Sequence, residues 1–255
     1  MSSPVGVGRL FGLIGFPLSH SFSKKYFTEK FAREGISNSA YELFPIARID
    51  ELSSVIAANP NLIGLNVTIP YKQQVIPFLD ELEESARRVG AVNTIAFRQG
   101  RLIGYNTDVY GFGTSLNGFL AGDPIESALV LGTGGASKAV CRVLEQMNMP
   151  LQLVSRTSGT GHLTYDRITP SDIRSNRLII NTTPLGMTPE VDRLPEIPYA
   201  HLTSRHYLFD LIYNPEVTRF LQTGAEFGAS VRNGMEMLIL QAEQSWSIWN
   251  ETNAA

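Results

Sequence analysis

A glycine-rich turn carries the clearest chemistry in this sequence of 255 residues. The apolar run Leu129–Leu131 leads into Gly132-Thr133-Gly134-Gly135-Ala136-Ser137, after which the pattern is helical. A strand that turns sharply into a helix lets the backbone approach a pyrophosphate, and the helix N-terminus offers unpaired N–H groups with partial positive charge. Ser137 stands where the usual fingerprint has a third glycine. The turn predicts a dinucleotide site, with a tight turn that binds nothing as the alternative.

The residues after the next apolar run indicate which dinucleotide this turn would hold. Sites selective for NAD usually place an acidic residue about 20 residues beyond the glycines, where it binds a ribose hydroxyl. This sequence has Ser155-Arg156-Thr157 there, so no carboxylate repels a ribose phosphate. The planar cation of Arg156 suits such a phosphate. The pattern predicts NADP, and a solvated loop arginine is the alternative.

Three polar clusters precede the glycine turn. They are the loop 15–23 with Ser21 and Ser23, the segment Asn66-Val67-Thr68-Ile69-Pro70-Tyr71-Lys72, and Gly90-Ala91-Val92-Asn93-Thr94 followed by Gly104-Tyr105-Asn106-Thr107-Asp108. Each has an ordinary explanation by itself, because Ser23 could cap a helix, a lone lysine is usually solvated, and polar residues at strand ends form turns.

Taken together and in this order, these motifs resemble the shikimate dehydrogenases of the shikimate/quinate dehydrogenase family. The resemblance covers nearly the whole chain. It continues through Ser155-Arg156-Thr157, Asn181-Thr182-Thr183, the segment 210–215 and the pair Gln241-Ala242. It implies an NADP-dependent oxidoreductase acting on a CH–OH group, which reversibly reduces 3-dehydroshikimate to shikimate in chorismate and aromatic amino-acid biosynthesis.

The resemblance also implies roles for individual residues. Lys72 and Asp108 match the family's catalytic pair and also contact the substrate. The other implied substrate ligands are Ser21, Ser23 and Tyr213 at the carboxylate and Asn66, Thr68, Asn93 and Gln241 at the ring hydroxyls. The implied NADP ligands are Gly132, Gly134, Gly135 and Ala136 at the pyrophosphate, Ser155, Arg156 and Thr157 at the adenosine phosphate, Leu211, Gly234 and Met237 at the nicotinamide end, and Thr182.

These residue types suit the chemistry. Hydride transfer belongs to the nicotinamide, so the protein orients the two rings and manages one proton. An ammonium beside the ring oxygen stabilises its developing charge or supplies the proton. Enclosure would lower the pKa of Lys72 and a nearby Asp108 would oppose that change, and the sequence leaves open which effect dominates.

Two alternatives stay open at this point. The neutral loop Ser158-Gly159-Thr160-Gly161 lacks the second basic residue of many relatives, which predicts a weaker preference for NADP. One alternative is a related enzyme with quinate activity or with dual use of NAD and NADP. Space for the extra hydroxyl of quinate near Ser21 and Tyr213 would decide it. The other alternative is a non-catalytic dinucleotide or metabolite sensor on the same fold. The presence of both Lys72 and Asp108 favours an enzyme.

The elements that must position these residues alternate between strand and helix patterns, which predicts an α/β architecture. Strands are predicted at 10–14, 40–44, 62–69, 92–97, 101–105, 128–131, 151–154, 178–180 and 207–211, and helices at 24–34, 48–58, 109–120, from the glycine turn to 147, 215–228 and 235–249. The resemblance implies two domains: a substrate-binding, catalytic α/β domain at 1–108 completed by the C-terminal helix at 233–255, and a Rossmann-like doubly wound NADP-binding domain at 109–232.

Composition excludes several other classes of protein. The chain is 43% hydrophobic and 18% charged with a net charge of −3, so neither disorder nor a basic surface for nucleic acid or membranes is expected. Its one cysteine and its four histidines, which lack metal-ligand spacing, predict no disulfide framework and no metal site. No targeting or membrane segment is evident, which predicts a cytoplasmic protein with small-molecule partners. A homodimer is left open.

Overall fold

The computed structural model describes residues 8–18, 21–159 and 161–251. The chain divides into two compact units: unit 1 is Met1–Thr107 with Ala242–Ala255, and unit 2 is Asp108–Gln241. Residues 233–241, predicted to complete the first domain, therefore group with unit 2. The side chains of this segment explain the difference, since Glu236 accepts a hydrogen bond from Ser115 and Met237 is buried in an apolar cluster of unit 2. Ser19, His20 and Thr160 of the sequence motifs lie outside the described residues.

Unit 1 contains one mixed sheet with three helices of its own. Its elements are β1 (Arg9–Gly15), α1 (Phe22–Arg33), β2 (Ser39–Pro45), α2 (Leu52–Ala58), β3 (Leu62–Val67), β4 (Glu81–Leu82), α3 (Glu84–Val89), β5 (Thr94–Arg98) and β6 (Arg101–Tyr105). The strand order is β2-β1-β3-β5-β6-β4. β5 and β6 form an antiparallel hairpin, in which Gln99 and Gly100 both have positive φ, as a type I′ turn requires.

The core of unit 1 follows the alternation of the central strand β1. Leu10 and Ile14 enter one apolar cluster while Phe11 and Leu13 enter another, because successive side chains point to opposite faces of a sheet. The second cluster also contains Trp249 and has Trp246 packed against it. Both tryptophans lie on the last helix, α8 (Met235–Asn250), whose residues from Ala242 onward belong to unit 1.

Unit 2 contains one fully parallel sheet. Its elements before α8 are α4 (Asp108–Leu120), β7 (Ala128–Leu131), α5 (Gly135–Gln146), β8 (Leu151–Ser155), β9 (His162–Thr164), α6 (Pro170–Ser175), β10 (Leu178–Asn181), β11 (Tyr207–Asp210), α7 (Arg219–Glu226) and β12 (Ser230–Arg232). The strand order is β12-β11-β10-β7-β8-β9, which is the doubly wound order of dinucleotide-binding domains. The predicted α/β fold class is confirmed.

Some element boundaries differ from the prediction. The helix predicted from Pro215 begins at Arg219, because the Thr218 side chain accepts a hydrogen bond from the Leu221 N–H and caps it there. α3, α6, β4, β9 and β12 were not predicted, since each is too short to show a period. Within the described ranges, no helix is both long and apolar enough to cross a membrane.

Candidate active site

A pocket of about 700 Å³ opens at the carboxyl ends of β7, β8 and β10 in unit 2. Crevices at this edge, where the strand order reverses, are where doubly wound domains bind their ligands. Among its lining residues are the predicted cofactor ligands Gly132, Gly134, Ser155, Arg156, Thr157 and Thr182. Six positions that are scattered in the sequence therefore face one space.

Glycines 132, 134 and 135 are required for two different reasons. Gly132 has φ of +107°, and a β-carbon on it would lie 2.7 Å from Thr182 Oγ1. A β-carbon on Gly134 or Gly135 would meet no protein atom within 4 Å. Packing within the protein therefore does not demand glycine at 134 and 135, whereas close approach of a ligand does. These residues fit a pyrophosphate.

The first turn of α5 supplies the donors for such a group. Gly134 is its N-cap and provides no side-chain hydrogen bond to the first N–H groups. Gly135 and Ala136 form the helix start. Ser137, in place of a third glycine, is buried and its hydroxyl donates to the Gly134 carbonyl at 2.6 Å. The N–H groups and the positive end of the helix dipole thus remain directed toward an anion.

The far side of the pocket carries the predicted phosphate ligands. Ser155 is buried, and its Oγ accepts a hydrogen bond from the Thr157 N–H at 3.3 Å, which shapes the turn that presents Arg156. Thr182 closes the near side, where its N–H and its hydroxyl both donate to the Leu131 carbonyl.

Two predicted nicotinamide residues lie together beyond β11. The Gly234 N–H donates to the Ile212 carbonyl at 3.0 Å, and a β-carbon on Gly234 would lie 2.1 Å from the Leu211 carbonyl oxygen. The third, Met237, is buried in the core cluster against which Leu211 packs. None of the three is among the residues that line the pocket.

The unit 2 residues predicted to bind substrate lie in three places: Gln241 in α8, Asp108 at the start of α4 and Tyr213 after β11. Gln241 is buried and its Nε2 donates to the Leu238 carbonyl at 2.9 Å. A β-carbon on Gly111 of α4 would lie 3.0 Å from the Gln241 β-carbon, so the two helices are in close contact there. Asp108 begins α4 and is buried. Tyr213 is partly buried, and this burial raises the pKa of its phenol.

In unit 1 a buried hydrogen-bond network, here called the Asn66 network, joins several predicted substrate residues. Asn66 Oδ1 accepts from the Tyr41 hydroxyl at 2.8 Å, and Tyr41 also bonds to the Ser23 side chain. Burial raises the pKa of Tyr41. On its other side, Asn66 Nδ2 donates to Thr94 Oγ1 at 3.2 Å and to Ser245 Oγ at 3.0 Å. Neither Tyr41 nor Ser245 was predicted from the sequence.

The second asparagine is fixed by the residue that precedes Asp108. Asn93 Oδ1 accepts from the Thr107 N–H at 2.7 Å, and its Nδ2 donates to Thr107 Oγ1 at 2.9 Å. Thr107 Oγ1 lies 3.2 Å from Ser245 Oγ, which joins this pair to the Asn66 network. Segments that are far apart in sequence are thus held together by side-chain amides and hydroxyls.

Lys72 and Thr68 lie on the turn after β3. The Lys72 carbonyl accepts from the Val92 N–H at 2.7 Å, so this turn is tied to the residue before Asn93. The Thr68 N–H donates to the Ile14 carbonyl at 3.0 Å. The Lys72 and Thr68 side chains are both half-buried. Backbone pairing therefore places Lys72 beside the Asn93 segment within unit 1.

Comparison with known proteins adds direct evidence of kinship. Residues 13–95 match the model described as the shikimate dehydrogenase substrate binding domain. A shikimate dehydrogenase (NADP(+)) of Clostridium beijerinckii is 41% identical, with 94% of this chain and 92% of that protein covered. The chain belongs to the shikimate dehydrogenase family.

Solved structures of this family superpose over nearly the whole chain. A shikimate dehydrogenase in complex with NADP+ is 31% identical, with a TM-score of 0.85 over 97% of this chain and 93% of that one. A quinate dehydrogenase from Corynebacterium glutamicum in complex with NAD is 27% identical, with a TM-score of 0.85 over 95% and 94% of the two chains.

For this shikimate dehydrogenase family member the structure shows which serine of the loop caps the first helix. Ser21, whose backbone is extended, is the N-cap of α1 and its Oγ accepts from the Lys24 N–H at 3.4 Å. The alternative in which Ser23 caps the helix is therefore excluded, because Ser21 is the N-cap. Ser23 lies inside the first turn, where its side chain bonds to Tyr41 instead.

Sequence reasoning also missed a buried carboxylate in this family member. Asp210 ends β11 with no exposed surface, and it accepts hydrogen bonds from Thr218 Oγ1, the Ile212 N–H and Asn181 Nδ2. Burial raises the pKa of Asp210 to about 6, although these three hydrogen bonds act in the opposite direction. The residue ties together the ends of β10 and β11 and the start of α7.

Other pocket residues were missed because they come from loops without a motif. They include Tyr165, Glu190 and Arg193. Within the described part of the chain, no group of three or more histidine, cysteine or acidic side chains could hold a metal ion.

Proposed function

We propose that this protein is an NADP-dependent shikimate dehydrogenase, which reversibly reduces 3-dehydroshikimate to shikimate. One observation, in addition to family membership, supports the assignment of NADP as the cofactor. Glycines 134 and 135 face open space at the start of α5, and Gly134 lines the same pocket as Arg156, which has no acidic residue at the neighbouring positions. This combination fits a dinucleotide with a phosphate on its adenosine ribose.

NADP, when bound, supplies the hydride and accepts it in the reverse direction. The pyrophosphate would be held by the N–H groups of Gly134, Gly135 and Ala136, and the adenosine phosphate by Ser155, Arg156 and Thr157, with Thr182 near the turn. Leu211, Gly234 and Met237 are the proposed nicotinamide ligands. Support for that last group is their proximity in unit 2 and the family motif.

The substrate ligands of unit 1 are those that the Asn66 network holds in place. An amide oxygen accepts two hydrogen bonds, so Asn66 Oδ1 can take a ring hydroxyl in addition to Tyr41. Ser21 and Ser23 sit at the start of α1, whose positive dipole end favours a carboxylate. Thr68 and Asn93 complete the unit 1 set, and Tyr213 and Gln241 are the proposed ligands from unit 2.

Lys72 is the proposed catalytic cation. Its ammonium stabilises the negative charge that grows on the ring oxygen during reduction, or gives that oxygen its proton. Asp108 is the proposed second member of the catalytic pair. A cytoplasmic location and a homodimer also remain predictions for this protein.

A second candidate function is supported by the structural similarity to a quinate dehydrogenase bound to NAD. Steady-state rates with shikimate and with quinate, each with NADP and with NAD, distinguish the two. We expect shikimate with NADP to give the highest kcat/KM, at least tenfold above shikimate with NAD. Quinate with NAD as the best pair would replace the proposal, and no turnover with any pair would favour a sensor.

A further inference from the structure

The pocket in unit 2 has two arginines on its wall, not one. Arg156 follows β8, and Arg193 lies in the loop after β10. Both also line an adjoining depression of about 570 Å³, together with Tyr165 and Leu185. Because the same four residues border both spaces, the two arginines lie where those spaces meet.

The backbone of the loop that carries Arg193 is fixed by close contacts and hydrogen bonds within the loop. Gly186 has φ of +100°, and a β-carbon on it would lie 3.3 Å from the Arg193 carbonyl oxygen. The Arg193 N–H donates to the Glu190 carbonyl at 3.1 Å, and the Arg193 guanidinium pairs with the Glu190 carboxylate at 3.0 Å. Both side chains are exposed, so this pair is weak and a doubly charged anion can compete for the arginine.

Tyr165 supplies an independent sign of a missing ligand. Its hydroxyl oxygen is buried in the described structure yet has no hydrogen-bond partner. A buried hydroxyl without a partner destabilises a protein, and such groups are rare unless a ligand or water completes them. Burial raises the pKa of Tyr165 to about 12, so the phenol is a neutral donor at physiological pH. Tyr165 borders the same two spaces as both arginines.

We propose that Arg193 is a specificity-determining residue which, with Arg156 and the Tyr165 hydroxyl, binds the phosphate on the adenosine ribose. The inference rests on the proposed use of NADP. A phosphate monoester carries a charge near −2, which two guanidinium groups match. Arg193 thereby supplies, from a different loop, the second cation that the neutral loop at 158–161 lacks. The preference for NADP is then strong.

The test uses two fragments of the cofactor that differ only in the position of one phosphate. Isothermal titration of the full chain with 2′,5′-ADP and with 5′-ADP separates phosphate recognition from the rest of binding and requires no turnover. We expect Arg193→Ala to weaken 2′,5′-ADP binding about tenfold and to leave 5′-ADP binding unchanged. Arg174→Ala, an exposed arginine on α6 outside the pocket lining, is the matched control and should change neither.

Two further variants sharpen the result. Glu190→Gln removes the competing carboxylate and should tighten 2′,5′-ADP binding two- to threefold. Tyr165→Phe should weaken 2′,5′-ADP binding by a smaller factor than Arg193→Ala, and unchanged binding would remove Tyr165 from the site.

Failure of this inference is distinct from failure of the proposed function. In the first case, the wild-type protein prefers 2′,5′-ADP, and Arg156→Ala abolishes that preference while Arg193→Ala keeps it. That result would mean that Arg193 has no role in binding the phosphate, and the proposed use of NADP would stand. If the wild-type protein binds 5′-ADP as tightly as 2′,5′-ADP, the proposed NADP preference itself is overturned.

Discussion

In unit 1 the predicted substrate residues Asn66 and Asn93 make hydrogen bonds within the protein, whereas in unit 2 the predicted cofactor residues Gly134 and Gly135 face open space. Asn66 and Asn93 are each held by two or more side chains or N–H groups. Gly134 and Gly135 have no protein atom near the position of a β-carbon. In unit 1 the side chains that would bind a ligand are already held in place by hydrogen bonds. In unit 2 the glycine turn offers backbone N–H donors beside open space.

This contrast follows from what each ligand demands. A small polyhydroxylated acid is recognised by hydroxyl and amide groups at fixed positions, so a satisfied network limits their rotation before binding. A pyrophosphate is recognised by backbone N–H groups. It can approach them closely only where no side chain stands in the way. The contrast makes predictions that differ between the two units.

The largest effect is expected from Lys72→Ala. Turnover should fall by about 10²–10⁴-fold, because the charge on the reacting oxygen loses its cation. The melting temperature should hardly change, since the half-buried Lys72 side chain is outside the apolar clusters of unit 1. Lys25→Ala, at an exposed position on α1, is the control and should retain normal turnover. Normal turnover in a folded Lys72→Ala protein would remove Lys72 from the mechanism.

A pH-dependent effect is expected from Asp210, the buried carboxylate of unit 2. Its pKa is about 6 in the folded protein and near 3.9 when unfolded, so the folded state holds the proton more tightly. This group therefore favours folding below about pH 4 and loses that contribution as pH rises through 6, by roughly 3 kcal/mol.

Asp210→Asn isolates this contribution. The amide oxygen can still accept from Ile212 and Asn181, and its NH₂ can donate to Thr218. Urea unfolding followed by circular dichroism at pH 4.5, 6 and 7.5 should show the wild type losing stability relative to the variant as pH increases. Parallel stability curves for the two proteins would contradict the raised pKa.

A smaller effect is expected from Tyr41→Phe, which removes one hydroxyl from the Asn66 network of unit 1. The variant leaves Asn66 Oδ1 and the Ser23 side chain without their buried partner, and should lower the free energy of unfolding by about 1–3 kcal/mol. The KM for shikimate should rise while NADP affinity stays unchanged. Tyr110→Phe, at a half-exposed position, is the control. An unchanged KM would mean that the network serves stability alone.

The smallest effect is expected from Gly134→Ala, which places a methyl group in the open space beside the glycine turn of unit 2. Gly134 has φ of −78°, which alanine adopts without strain, and its β-carbon would meet no protein atom. Stability without ligand should be unchanged or slightly higher, while NADP binding in calorimetry should weaken about tenfold, or roughly 1.4 kcal/mol. Gly132→Ala is the contrasting variant and should be destabilising, because its φ is +107°. Unaltered NADP binding by Gly134→Ala would show that no ligand approaches this turn.

Local patterns in the sequence predicted the elements that carry most of the fold. The alternation of β1, the hairpin at Gln99-Gly100 and the strand-turn-helix at Gly132 are each set by residues close together in the chain. The alternative that placed the N-cap of α1 at Ser23 named the wrong serine, because Ser21 and Ser23 are chemically alike and only the backbone conformation distinguishes them.

The parts that could not be predicted depend on packing between distant segments. Burial of Asp210 results from three surrounding elements, and no local pattern reports it. Tyr41 and Ser245 join the Asn66 network across 25 and 179 residues of sequence. Arg193 reaches the pocket through the course of a loop that has no recognised motif.

The position of the two tryptophans gives the protein a spectroscopic asymmetry. Trp246 and Trp249, the only two in the sequence, both pack around Phe11 and Phe27 in unit 1. Tryptophan fluorescence therefore records the unfolding of unit 1, while unit 2 contains no indole of its own. Unfolding can be followed both by tryptophan emission and by far-ultraviolet circular dichroism, which reports on the backbone of both units. If the two denaturation curves do not coincide, unit 1 and unit 2 unfold as independent cooperative units.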